Sequence, residues 1–441
     1  MNRRDFIQKS ALSAVGLGLS PLFGKGYASV YGAAAPSNKI KVALIGCRSM
    51  GFADLGTFLD YPETECVALC DVDDEWLHKR AADTEKKTGK KVPHLYKDWR
   101  RVIDNKDIDL VIIGTPDHWH CLPTIAACEA GKDVYVEKPL ANTIEECDLM
   151  VKATRRYNRI VQVGQWQRSD PHWDEAAAYL KSGNIGRIRT VKVWAYQDGK
   201  PTLPVLPDTA VPAGVDYDMW LGPAPRRPFN PYRFHYNFRF FWDYAGGLMS
   251  DWGVHLLDYA LEGMQAGLPP RVSGSGGKFA YPHDAMETPD TLMATYAYPE
   301  YNIIWDHACG INHGLYNRKE GLAFYGENGT LVLDRAGWEV IPVVADKAAR
   351  MEAVPFRRGE GKGLYKHVGN LLECVKTREL PTADIAIGAR VAKMAHLANI
   401  SCRIGREVRW NDTAKCFTGD SEATALSKAC YRAPWSLPKI D

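Results

Sequence analysis

The chain has 441 residues, a formal net charge of +2, 46% hydrophobic and 24% charged residues, an ordinary composition for a folded chain with a sizeable core. The balance of 55 Lys+Arg against 53 Asp+Glu leaves no uncompensated basic surface, so neither a nucleic acid nor a membrane surface is an expected partner. Eleven cysteines at irregular spacings, without any CxxC, do not read as a disulfide framework or a zinc site and are expected to be small core residues.

The N-terminus reads as an address. Arg3-Arg4-Asp5-Phe6-Ile7 precedes an apolar stretch, Ala11 to Phe23, too short to span a bilayer. Gly26-Tyr27-Ala28 and Ala33-Ala34-Ala35 offer small-residue cleavage sites. This order resembles the twin-arginine export signal. Residues 1–35 are therefore expected to be a leader and the mature protein to be periplasmic, in a bacterium; the plainer alternative is an amphipathic N-terminal helix. No later stretch has the apolar length of a membrane span.

Residues 36–164 alternate strands and helices. Lys39 to Ile45 is a β-branched strand, followed by Gly46-Cys47-Arg48-Ser49-Met50-Gly51 and a helical pattern through Leu55 and Phe58. This is the place of a G-x-G-x-x-G dinucleotide turn, in which backbone N–H groups at a helix start hold a pyrophosphate. Arg48 replaces the middle glycine, which frees a guanidinium for a phosphate or an adenine ring. The next strand, Glu65 to Cys70, ends at Asp71, 25 residues after Gly46. A carboxylate there binds ribose hydroxyls and repels a 2′-phosphate, favouring NAD over NADP; the plainer reading is a turn residue beside Asp73 and Asp74. Strands at Leu110 to Ile113, Asp133 to Val136 and Ile160 to Val163 follow, with helices at Pro123 to Ala130 and after Thr143, a capping-box N-cap. The alternation predicts an α/β Rossmann domain, a doubly wound parallel sheet with its ligand site at the strands' carboxyl ends. Thr115, Lys138 and Gln165 fall at those ends.

Residues 165–441 change texture. Period-two runs at Arg189 to Tyr196, Thr291 to Tyr296, Tyr301 to Trp305, Leu322 to Gly326 and Thr330 to Leu333 predict an α+β domain with a large, mainly antiparallel sheet. Amphipathic helices at Leu364 to Lys376 and Ala386 to Ile404 are expected to pack back. An open sheet face suggests a homo-oligomer.

Several residues in this frame are suited to chemistry. Lys138, in Glu137-Lys138-Pro139, sits where an ammonium enters the cleft, although a surface lysine is the commoner fate. In Ser250-Asp251-Trp252-Gly253-Val254-His255, a helix starting at Ser250 or Asp251 would put Asp251 and His255 on one face. A carboxylate beside an imidazole suits a general base; an N-cap and a satisfied histidine would look the same. Gln165, Gln167 and Arg168 leave the last parallel strand toward that space and are candidates for sugar hydroxyls. Tyr232, His235, Tyr236 and Arg239 are candidates for a pyranose face, with inter-domain or subunit core as the alternative. His118 and His120 lack an evident third metal ligand, so no metal is expected and His120 is assigned to the nicotinamide wall.

Taken in order, the glycine turn, Gly114-Thr115-Pro116-Asp117-His118-Trp119-His120, Glu137-Lys138-Pro139, Trp220-Leu221-Gly222-Pro223, Trp242 to Gly247, Asp251-x-x-x-His255 and a Tyr431-Arg432-Ala433-Pro434-Trp435 ending resemble the Gfo/Idh/MocA oxidoreductase family. The resemblance implies that Lys138, Asp251 and His255 match catalytic positions. It also implies that Gly46, Gly51, Asp71, Thr115, Pro116, His120 and Glu137 match cofactor positions. Arg48, Ser49, Met50 and Lys138 are further cofactor candidates, with either the Arg48-Ser49-Met50 loop or the leader-proximal arm expected to fold over the site. The expected activity is NAD-dependent oxidation of a secondary hydroxyl of a sugar or glycoside, with C3 of a pyranoside as a candidate position. An exported enzyme would have to keep its NAD and recycle it internally. The alternative is a glycoside hydrolase in which transient C3 oxidation acidifies the C2 proton and permits elimination. A cofactor-bearing protein without turnover is the third class.

Overall fold

The computed structural model describes residues 39–200 and 202–440; the expected leader, residues 1–35, lies outside them. The first half alternates as anticipated: β1 (Ile40–Ile45), α1 (Ser49–Phe58), β2 (Thr64–Cys70), α2 (Asp74–Thr88), β3 (His94–Tyr96), α3 (Trp99–Asp104), β4 (Leu110–Ile113), α4 (Cys121–Glu129), β5 (Asp133–Val136), α5 (Ile144–Arg156) and β6 (Val161–Val163). The six strands form one parallel sheet in the order β3-β2-β1-β4-β5-β6. The order reverses between β1 and β4, so a crevice opens there at the carboxyl ends.

Both faces of this sheet are covered, which is why β1 reads as a continuous apolar run. Val42 and Leu44 pack on one side with Phe58 and Tyr135, and Ala43 and Ile45 on the other with Ile125 and Met150. The cover includes residues from the far end of the chain. Val368, Leu371 and Leu372 of α10 (Gly363–Thr377) join the first cluster, and Ile385, Ala389 and Ala392 of α11 (Ile385–Ile404) join the second. Local chemistry sets the helix starts: Thr143 Oγ1 accepts the Glu146 N–H at 3.2 Å, and Asp73 caps α2 through the Glu75 N–H at 3.1 Å.

The second half builds a ten-stranded sheet. After α6 (Pro171–Lys181) come β7 (Thr190–Gln197), α7 (Tyr217–Leu221), α8 (Gly247–Asp251), α9 (Gly253–Gly263), β8 (Arg271–Gly277), β9 (Thr291–Ala297), β10 (Asn302–Cys309), β11 (Glu320–Tyr325), β12 (Gly329–Asp334) and β13 (Gly337–Pro342). A small hairpin, β14 (Val344–Ala345) with β15 (Ala348–Ala349), stands apart; β16 (Val354–Arg358), β17 (Val408–Asn411), β18 (Cys416–Phe417) and a short α12 (Ser421–Leu426) complete the chain. The strand order is β16-β13-β12-β11-β7-β10-β9-β8-β17-β18, antiparallel throughout except for β7 beside β10.

One face carries the core. Val191, Val193, Leu322, Phe324 and Leu331 pack with Trp173 of α6, Leu256 and Leu257 of α9, and Met394 of α11. On the other face lie Lys192, Ile304, Thr295, Asp306 and the exposed Met293, an open surface of mixed polarity. No described helix is long and apolar enough to cross a membrane.

Candidate active site

A cavity of about 450 Å³ lies at the carboxyl ends of β1, β2, β4 and β5. Its floor at one end is the turn between β1 and α1. Gly46 has φ +87°, and a Cβ there would stand 2.7 Å from the backbone of Gly114 and Thr115. A Cβ on Gly51 would lie 2.4 Å from the Gly46 carbonyl oxygen, and one on Gly114 would lie 2.4 Å from Gly51 Cα. These three glycines let β1, α1 and β4 close on one another. The middle position of the motif faces the cavity instead, with extended backbone (φ −100°, ψ 169°), so it accommodates Arg48. Gly114→Ala is expected to cost roughly 1–3 kcal/mol through overpacking against backbone, read as a lowered midpoint in thermal denaturation together with weaker dinucleotide binding.

Arg48 lays its guanidinium on Trp76, 4.3 Å from the ring centroid, while Nη1 is buried without an acceptor. Helix α1 has no side-chain cap, which leaves its first N–H groups for an anion. Asp71 does two things at once. Its Oδ2 accepts the Cys47 N–H at 2.7 Å and its Oδ1 the Asp73 N–H at 3.0 Å, tying the turn to the end of β2, and it also borders the cavity. Burial pushes its carboxyl up to about 6, with those two N–H groups pulling the other way.

The other end of the cavity holds the reactive groups. Lys138 Nζ donates to Asp251 Oδ1 at 2.7 Å and to the Asp251 carbonyl at 3.1 Å. Arg239 Nη1 donates to the same Oδ1 at 2.9 Å. Burial alone would raise the Asp251 carboxyl, but the two cations outweigh it and hold it well below the usual carboxylate range. His255 borders the same space with Nδ1 buried and unpartnered. Burial, then the Lys138 and Arg335 charges, depress its pKa well below that of a free imidazole, so the ring is neutral. Burial raises Asp117 to about 8 and Glu137 to about 7.

The expected continuous helix through Asp251 and His255 is interrupted. Asp251 ends α8, Trp252 intervenes, and His255 lies in the first turn of α9. No hydrogen bond joins the two side chains; Asp251 faces Lys138 and Arg239 instead.

Of the residues singled out from sequence, Gly46, Arg48, Ser49, Met50, Asp71, Thr115, Pro116, Glu137, Lys138, Tyr236, Asp251 and His255 all border this one cavity, and Gly51 packs directly beneath it. His235 and Arg239 border it too, whereas Tyr232, His118, His120, Gln165, Gln167 and Arg168 do not. His120 is fully buried behind the wall, its Nδ1 and Nε2 each 2.8 Å from a carbonyl, of Pro139 and Thr115 respectively; it lies between the two loops that carry Thr115 and Lys138, and its single N–H can brace one of them. Arg168 points the other way, in a paired hydrogen bond to Asp258 (2.6 Å twice) and an ion pair with Glu262 at 3.1 Å. Gln165 reaches the Val254 carbonyl at 3.4 Å, and Gln167 accepts from Arg335 at 3.4 Å. The chain makes a short helical turn at Trp166–Ser169, so Trp166 takes the place expected for its neighbours.

Trp166, Asp117, Trp119 and Arg335 border the cavity without having been assigned there from sequence. Arg335 carries no local signal at all, since Asp334-Arg335-Ala336-Gly337 reads as a hairpin turn. His118 Nε2 lies 3.0 Å from the Trp220 carbonyl, and the described residues contain no cluster of three or more potential metal ligands.

Comparison with known proteins places this geometry. Residues 40–165 match the NAD-binding Rossmann-fold model of the Gfo/Idh/MocA oxidoreductase family, and residues 186–296 match that family's C-terminal alpha/beta domain. An inositol 2-dehydrogenase of Saccharopolyspora erythraea is 33% identical over 189 residues, 41% of this chain and 53% of that protein. A glycosyl hydrolase family 109 protein of Shewanella baltica is 31% identical over 172 residues, 35% of this chain and 37% of that protein. The chain thus aligns with about half or less of these relatives' lengths. In fold it is similar to a levoglucosan dehydrogenase solved with NADH and levoglucosan: TM-score 0.65, 21% identity, 84% of this chain and 99% of the other.

Proposed function

The chain belongs to the Gfo/Idh/MocA oxidoreductase family, and from that premise we propose that it is an NAD-dependent oxidoreductase acting on a secondary hydroxyl of a sugar or glycoside. The observation that carries this reading is the meeting of Lys138, Asp251 and His255 at one end of a cavity whose other end is the glycine turn. The residues present fit a dinucleotide. Arg48 Nη1 and Thr115 Oγ1 are buried at the cavity without partners, the glycines permit close backbone approach, and Asp71 stands where ribose hydroxyls are bound. The turn at residues 46–51 would hold the pyrophosphate, Asp71 the adenosine ribose, and Thr115 with Glu137 the nicotinamide half. Bound NAD supplies a two-electron acceptor for the hydride of the carbinol carbon.

The protein's own groups handle the proton. His255, neutral because it is buried, takes the hydroxyl proton as the C–H bond gives up its hydride and the carbonyl forms. Lys138, oriented by Asp251, donates a hydrogen bond to the substrate oxygen and stabilises the negative charge that develops there. Asp251 acts through Lys138, which it holds together with Arg239. Two finer readings belong to the proposal: C3 of a pyranoside as the oxidised carbon, and a tightly held, internally recycled NAD in a periplasmic protein that associates through the open face of its large sheet. The similarity to a family 109 glycosyl hydrolase supports a second reading, elimination of a glycoside after transient C3 oxidation.

A panel of pyranosides tests both. A keto-sugar product supports the dehydrogenase, whereas released aglycone without net NADH supports the hydrolase; neither product from any pyranoside overturns the proposal. On an accepted substrate no loss of rate from protonation of His255 is expected between pH 8 and pH 6, because its depressed pKa keeps it unprotonated through the ordinary imidazole range near 6.5; an inflection in that window would belong to Asp117 or Glu137, raised to about 8 and about 7. His255→Ala should lose activity at neutral pH and recover part of it at high pH, where hydroxide substitutes for the base.

A further inference from the structure

Two arginines border the cavity without a carboxylate partner. Among the described residues no Asp or Glu oxygen lies within 4.0 Å of Arg48 or of Arg335, whereas Arg168, Arg239 and Arg318 each have such a partner. For Arg48 the missing anion is accounted for by the pyrophosphate expected at the glycine turn. Arg335 is at the other end. It comes from the turn between β12 and β13, and its guanidinium lies 5.2 Å from the Trp166 ring centroid and 4.7 Å from that of Trp252. Its Nη2 donates to Gln167 Oε1 at 3.4 Å, and its Nε is buried with no acceptor. Indole faces attract a guanidinium but neutralise none of its charge, and a half-buried cation without a counter-ion is costly.

The surrounding groups deepen the imbalance. Lys138, Arg239 and Arg335 border the reacting end, and Asp251 is the one carboxylate there held firmly in its charged form, already shared between Lys138 and Arg239. Asp117, raised to about 8 by burial, is protonated at neutral pH, and Glu137, raised to about 7, is so in part. Glu320 is the strongest acidic influence on Arg335 but makes no ion pair with it.

We propose that the substrate of this site is an anionic sugar, whose charged group pairs with the Arg335 guanidinium beside His255. This rests on the oxidoreductase reading of the same cavity. The planar fork of an arginine matches a carboxylate, as in a uronate, and also binds sulfate or phosphate esters.

The test uses the purified full chain loaded with NAD, and methyl glucuronide, methyl glucoside, glucose 6-sulfate and glucose 6-phosphate as probes. Oxidation is followed by keto-sugar formation, and binding by quenching of tryptophan fluorescence. The wild-type kcat/KM is expected to favour at least one anionic probe over methyl glucoside by 10-fold or more, with the arms separating carboxylate from sulfate and phosphate. In Arg335→Gln that ratio should fall toward one; in Arg335→Lys it should fall partway, and added salt should erode it in the wild type. Equal or better use of methyl glucoside, with a ratio unmoved by Arg335→Gln, overturns this inference and leaves the oxidoreductase reading standing. Absence of oxidation of any probe counts against the oxidoreductase reading, and the binding arm then decides the charge preference separately: tighter binding of an anionic probe that depends on Arg335 upholds it, and equal binding sinks it. Should Arg335→Gln fail to fold, the wild-type ratio alone decides.

Discussion

Lys138→Met is expected to reduce turnover by about 10²- to 10³-fold or more while the protein stays folded and binds NAD. Lys138 is the group placed to donate to the reacting oxygen, and removal of one such donor from a preorganised site costs about that much in kcat. The fold should survive because the charge left behind is not orphaned: Asp251 Oδ1 still accepts from Arg239 at 2.9 Å, and methionine replaces the aliphatic stem with little loss of volume. Single-turnover kinetics on a confirmed substrate, with a thermal melt as control, checks both halves. Near-normal turnover would remove Lys138 from the mechanism.

Asp251→Ala is expected to do the opposite, damaging stability as well as activity. It strips the shared carboxylate from Lys138 and Arg239 and leaves two cations facing Arg335 across the same cavity. Removing one partner of a buried ion pair costs about 3–5 kcal/mol in general; the partial exposure of both side chains to the cavity brings this site toward the lower end. The pH dependence follows from the direction of the shift. The Asp251 carboxyl is held below the usual carboxylate range in the folded protein, so its contribution is complete at pH values above the unfolded pKa near 4 and is lost as the pH falls through the folded value. Denaturant unfolding should therefore show a constant gap between wild type and variant from about pH 5 to 8, narrowing in stronger acid. A gap that is absent at pH 7 would show that the two arginine and lysine side chains find other partners. Asp251→Asn, which keeps an acceptor oxygen, should lie between the two.

The reading from sequence reached the parallel half of the molecule because its signals are local. A strand buried on both faces is a continuous apolar run, and a βα turn that must close on β4 requires glycine at Gly46 and Gly51; neither depends on what lies elsewhere in the chain. Arg48 departs from the usual motif, and the geometry shows why that is tolerated: its position faces the cavity, while the two retained glycines face backbone. Lys138, Asp251 and His255 were legible through their order in the chain and the family resemblance, not through any spacing that places them in contact.

Tertiary structure decided which way side chains point and what each charge meets. Gln165, Gln167 and Arg168 leave β6 in the expected direction, but a single helical turn rotates them, so that Trp166 meets the cavity and Arg168 turns to Asp258 and Glu262. The Asp251–His255 spacing suggested one helix face, yet the break at Trp252 gives Asp251 to a lysine 113 residues away in sequence. His120 proved to lie between the Thr115 and Pro139 carbonyls, each 2.8 Å from a ring nitrogen, where its single N–H can brace one of the two loops. Arg335 was invisible in the chain, since a turn arginine is ordinarily solvated and only the packing of the β12–β13 turn against Trp166 and Trp252 carries it into the site. Periodicity and turn chemistry are properties of neighbours in sequence, so the sequence by itself determined the elements, the glycine turn and the order of the reactive residues. Ion pairing, burial and the net charge of a cavity are sums over distant segments, and those only the folded chain decides.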